Sequence, residues 1–80
     1  MKYTMEELDG KTMSVKQFLA EEKEIPYDKI SAGYHYITLS ELKEKYDDKT
    51  IEFVLYEKSD GYDEDYGLII LKSLHAEVQK

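Results

Sequence analysis

The side chains with chemical reach are two histidines forty positions apart, a Gly-Lys-Thr triplet and eighteen carboxylates. Acyl-transfer chemistry of the nucleophile-elbow kind needs a Ser or Cys held against a base. Neither His35 nor His75 sits in such a context, and the chain has no Cys, so both read as ordinary surface or half-buried histidines. Gly10-Lys11-Thr12 has the ending of a phosphate loop, but Met5 stands where the first glycine of that loop is required, so the segment reads as a turn. Paired carboxylates can cleave glycosides only in a cleft that drives their pKa values apart, and a chain of this size can shape little of one. No enzyme and no cofactor are expected.

Asp60, Asp63, Glu64 and Asp65 crowd one stretch and raise the question of a metal. A calcium loop of the EF-hand kind places oxygen donors at positions 1, 3 and 5 and a glycine at position 6. Counting from Asp60 puts Tyr62 at position 3; counting from Asp63 puts Gly67 at position 5 and Leu68 at position 6. Neither register fits. The expectation is a solvated acidic hairpin tip with no metal ligand assigned, weak calcium binding being the alternative.

Charge narrows the partners. Eighteen acidic residues face eleven lysines with no arginine, for a formal charge of −7. Proteins that bind nucleic acid gain affinity by releasing counterions with basic side chains, so direct nucleic-acid binding is disfavoured by sign. The eight tyrosines could stack bases, but without a basic track the phosphates would be repelled. Capture of a basic protein is the reading that this charge favours. Carboxylates two apart on a strand lie about 6.6–7 Å apart, and those three or four apart on a helix about 5–6 Å, near the spacing of successive phosphates. The groups expected to bind the partner are Glu21, Glu22 and Glu24 at the end of a first helix, Asp47 and Asp48 after a second, and Asp60, Asp63, Glu64 and Asp65 at a hairpin tip flanked by Tyr62 and Tyr66. Tyrosine adds rigid amphipathic contact area to electrostatic steering. The alternative is a generic interaction module whose acidic surface is merely solvated.

The small size, the Lys/Glu/Asp/Tyr-rich composition and the lack of cysteine resemble the small acidic early proteins with which bacteriophages take over a host, among them DNA mimics. That resemblance implies an inhibitor or adaptor in the host cytoplasm whose target is a basic protein: a nucleoid-associated protein of the HU kind, RNA polymerase or a nuclease. It also implies that a homodimer can form, with the open edge of the hairpin as its place. Leu8-Asp9-Gly10-Lys11-Thr12, Ile25-Pro26-Tyr27-Asp28 and the stretch from Thr38-Leu39-Ser40 to Leu55 are similar to segments of ubiquitin-like β-grasp proteins. The final Gln79-Lys80 in place of Gly-Gly gives no expectation of conjugation.

The elements that must position these groups follow from patterning. Leu, Ile, Val and Phe supply nineteen of eighty residues, just above the roughly 20% below which a charged chain is expected to stay disordered, so a single folded domain over 1–80 is expected. The longest apolar run, Leu68-Ile69-Ile70-Leu71, is far short of a membrane span, and the mixed charges of the first twenty residues show no secretory signal. Ser14 and Gln17 have capping-box spacing, with Met13 and Phe18 at the staple positions; Val15, Phe18 and Leu19 then form one stripe of a helix over about 15–23, ended by Ile25-Pro26. Thr38 with Glu41, and Ile37 with Leu42, repeat both signals for a second helix lined by Leu39, Leu42 and Tyr46, in which Glu41 and Lys45 make an i, i+4 pair. Asp47-Asp48-Lys49 closes it.

Between the helices, 31–36 is either a short strand or an irregular loop. From Thr50 the period becomes two, and the turn residues Ser59-Asp60-Gly61 connect a hairpin of 50–58 with 66–73. A hairpin alone is marginal in water, so a third strand is sought in 2–8, ahead of the Asp9-Gly10 turn. The fold class is α+β: two short helices packed on a small, mainly antiparallel sheet containing a C-terminal hairpin, with a β-grasp-like arrangement as the alternative.

Overall fold

The computed structural model describes residues 3–61 and 63–72 and has the expected α+β class, with a five-stranded sheet in place of the minimal one. The chain runs through α1 (Met5–Leu8), β1 (Thr12–Ser14), α2 (Val15–Glu21), β2 (Lys29–Ser31), β3 (Tyr36–Ile37), α3 (Leu39–Lys45), β4 (Thr50–Tyr56) and β5 (Tyr66–Leu71). The strand order is β1-β4-β5-β2-β3. All neighbouring pairs are antiparallel except β2 with β5, so "mainly antiparallel" describes the sheet.

The 50–58/66–73 hairpin is the centre of this sheet, trimmed to β4 and β5, with residue 73 outside the described residues. Its connection turns on a 3-10 segment, Lys58–Asp60, closed by Gly61 at φ 101°. Ile51, Phe53, Ile69 and Leu71 alternate onto one face, where Met5 and Leu8 of α1, Val15 and Phe18 of α2 and Leu42 of α3 cover them. Phe18, Phe53, Leu42, Ile51, Ile69, Leu71 and Val15 are fully buried. Each such side chain contributes roughly 1.5–3 kcal/mol by leaving water. The opposite face carries Val54, Tyr56, Tyr66, Leu68 and Ile70, half-buried and outside the core cluster.

Several expectations change. Residues 3–8 are not a strand: Thr4 caps a helix, its hydroxyl accepting the Glu7 N–H at 3.2 Å, and Met5 and Leu8 dive into the core. The third strand is instead Thr12–Ser14, paired with β4 from Thr12↔Glu52 to Ser14↔Thr50. Because β1 covers β4, and β2 covers β5, the hairpin has no open edge; the sheet's edges are β1 and β3, which removes the expected place for a homodimer. The segment 8–12 consequently links a helix to a strand, unlike the strand–turn reading that paired 2–8 with the Asp9-Gly10 turn.

The first long helix is α-helical only to Glu21, then tightens to a 3-10 turn over Glu22–Glu24. Ser14 caps it as expected, accepting Gln17 N–H at 3.1 Å, but the Gln17 side chain does not reach back; it donates to Glu21 Oε2 at 3.0 Å, one helical turn on. At α3 the capping box is complete: Thr38 accepts from Glu41 N–H, and Glu41 accepts from Thr38 N–H at 3.4 Å. Glu41 is thereby turned toward the cap rather than toward Lys45. The open alternative at 31–36 resolves into a tight hairpin, β2 to β3, registered Ser31↔Tyr36 and Ile30↔Ile37.

Candidate functional site

β4 and β5 give the molecule two ends. The strand β4 starts just after Asp47 and Asp48 and leads into 57–65, so the two expected acidic groups stand at its opposite ends, about 20 Å apart at 3.3 Å per residue. They do not form one surface.

Glu21 and Glu24 of the first helix end connect instead to the hairpin-tip end, through Tyr3. Tyr3 N–H donates to the Glu24 carbonyl at 3.2 Å and its phenol donates to Glu21 Oε1 at 2.5 Å. The same tyrosine shares a groove of about 350 Å³ with Thr4, Met5, Glu6, Pro26, Leu55 and Asp65. Three aspartates build this end. Asp9 accepts Leu55 N–H at 3.0 Å, Asp65 accepts Lys58 N–H at 3.1 Å, and Asp28 accepts Gly67 N–H at 2.7 Å while its own N–H donates to Gly67 O at 2.8 Å. Carboxylate bonds to backbone amides are charge-assisted, so these groups fix chain segments as well as carrying charge. Asp63 and Glu64 lie exposed at the apex.

Glu22 sits apart from this groove, facing Tyr27. Burial, with the Glu22 carboxylate second, raises the Tyr27 phenol above its ordinary value; its ring meets Phe18 edge-on at 5.3 Å. Tyr66, expected beside the acidic tip, points to the outer face of the sheet, its ring 6.5 Å from that of Tyr56 across the strands. Tyr62 lies outside the described residues, as do His75 and the side chain of Asp60. Among the described residues, no three His, Asp or Glu side chains are placed to hold a metal ion. Likewise, no described helix is long and apolar enough to cross a membrane.

Sequence reasoning missed a second surface at the other end. Ala32 N–H donates to His35 O at 2.9 Å, leaving Gly33 and Tyr34 as a two-residue loop; Gly33 takes φ 102° and its N–H donates to Ser31 Oγ at 3.2 Å. Glycine at the first of two central positions is what a II′ hairpin turn requires. This stiff loop holds Tyr34 84% exposed and Tyr36 58% exposed, with Lys29 Nζ 5.9 Å from the Tyr36 ring centre. No Asp or Glu occurs between Asp28 and Glu41. The readable signal was that acid-free window with a Gly-Tyr pair at its middle. Glu6 and Tyr3 were missed for a different reason: Thr4 and Glu7 have the spacing of a helix start, but a four-residue helix is too short to show an apolar period.

No known protein family, curated protein or solved structure matches this chain.

Proposed function

We propose that this chain is a non-enzymatic inhibitor or adaptor that captures a basic, DNA-binding protein with the acidic end of its sheet, its carboxylates taking the place of backbone phosphates. The observation that carries this reading is the gathering of Glu6, Asp9, Asp28, Asp63, Glu64 and Asp65, from three separate parts of the chain, around one end of β4 and β5. Like charges repel; backbone amides offset part of that cost at Asp9, Asp28 and Asp65, and an opposite charge on a bound partner would offset it further. Asp47 and Asp48 stand too far away to belong to the same contact.

The test is binding to a nucleoid-associated protein of the HU kind, followed by displacement of fluorescent DNA. With the Debye length near 8 Å at physiological salt, affinity is expected to fall at least about tenfold between 50 and 200 mM salt. A flat salt response would sink the acidic-end reading. It would favour the alternative that the acidic surface is only solvated and the exposed Tyr34 and Tyr36 make the contact, for which their exposure is the specific support.

A further inference from the structure

We infer that the groove between α1 and the β4–β5 hairpin is a socket for an arginine side chain of the basic partner; this rests on the capture reading above. Tyr3, Met5, Pro26 and Leu55 supply apolar lining, and Thr4 lies beside them. Two exposed carboxylates, Glu6 and Asp65, line the same groove. A largely apolar groove that also carries two exposed carboxylates complements a side chain that is apolar along its stem and cationic at its tip. A volume of about 350 Å³ suits one such side chain rather than a helix.

The walls are held before any partner arrives. Tyr3 is tied at both its amide and its phenol, to Glu24 and Glu21. Asp65 is fixed through Oδ1 by Lys58 N–H, and Leu55 is tethered by Asp9. Preorganised walls reduce the ordering cost of binding. Arginine fits this socket better than lysine because its planar, weakly hydrated guanidinium stacks on an aromatic ring and offers five donors to two carboxylates, whereas an ammonium is a strongly hydrated point charge. The chain has no arginine of its own, so no copy of it can supply the occupant.

The experiment uses the full chain and two probes, hexa-arginine and N-acetyl-arginine methylamide, at low salt. Glu6→Gln removes one groove carboxylate from an exposed site; the paired change Asp63→Asn with Glu64→Gln removes two charges at the apex, outside the groove. The socket predicts that Glu6→Gln weakens hexa-arginine binding about fivefold or more, a greater loss than the apex pair causes despite the pair's larger charge change. It also predicts amide shifts on adding the capped arginine that concentrate at Thr4, Glu6, Leu55 and Asp65. Losses that simply follow the number of charges removed, or shifts spread over the surface, overturn the socket and leave diffuse acidic capture standing. No hexa-arginine binding by the unmodified chain overturns both.

Discussion

The acidic end and the aromatic hairpin are built in opposite ways. The hairpin takes the shape of its loop from nine consecutive residues, Lys29 to Ile37: one positive-φ glycine, one serine hydroxyl and a two-residue loop. The acidic end takes Tyr3 and Glu6 from the start of the chain, Pro26 and Asp28 from the middle, and Leu55, Asp65 and Gly67 from the last hairpin. Local hydrogen bonds shape the first surface, whose strand β2 pairs with β5 and whose Ile30, Ala32 and Ile37 lie in the core, and hydrogen bonds between distant segments assemble the second. The loop geometry of the hairpin can therefore survive a change at α1, whereas an assembled surface is lost when any of its contributing segments shifts.

Two glycines allow that difference to be broken from either side. A Cβ on Gly67 would stand 2.8 Å from Met5 Cγ, a contact that side chains do not tolerate, so the buried Met5 side chain that anchors α1 must shift. Gly67→Ala is expected to cost about 1–3 kcal/mol and to lower the melting temperature of an 80-residue domain by roughly 4–8 °C per kcal/mol. Amide shifts should change through 3–8 and 26–28 while 31–36 keeps its spectrum; a disturbed hairpin would show that the two ends are coupled. Gly33→Ala is the smaller and complementary change. Nothing lies within 4 Å of the added methyl, so its whole cost is the φ of 102°, about 1 kcal/mol, confined to the hairpin and measurable by denaturant unfolding.

Alkaline titration gives the smallest effect and sharpens the comparison. The Tyr27 phenol is raised by its burial and by the nearby Glu22, so the unfolded chain releases that proton first, at its ordinary value near pH 10. The stability this shift contributes is fully present below about pH 10 and is lost as pH climbs through the raised folded value. Tyr27→Phe should flatten that part of the pH–stability curve. An unchanged alkaline limb in the Phe variant would assign the loss to the other tyrosines.

Local signals in the sequence were legible wherever a helix or strand was long enough to repeat them. Thr38 with Glu41 and Ser14 with Gln17 marked two helix starts, and both hydroxyls cap as expected. The alternation from Thr50 marked the hairpin, which is the sheet's centre. Signals that compete at short range were not legible. Gln17 had two partners within reach, and the carboxamide of a helical residue meets the side chain four positions on, here Glu21, as readily as its own cap. Residues 3–8 read as a strand because so short a segment has no period, and the Thr4 cap together with burial of Met5 and Leu8 decided for a helix.

Composition and order along the chain determined the charge of −7, the absence of a basic track, the α+β class and the caps, because each is a property of single residues or of neighbours within one helical turn. Which carboxylates share a surface was decided only by tertiary structure. The seven residues of β4 set Asp47 and Asp48 at one end and the 57–65 connection at the other, while bonds spanning thirty-nine and forty-six positions draw Asp28 and Asp9 to that second end. Distance in sequence says little about distance across a sheet, because strand length and strand order, not the spacing of the residues, fix which ends meet.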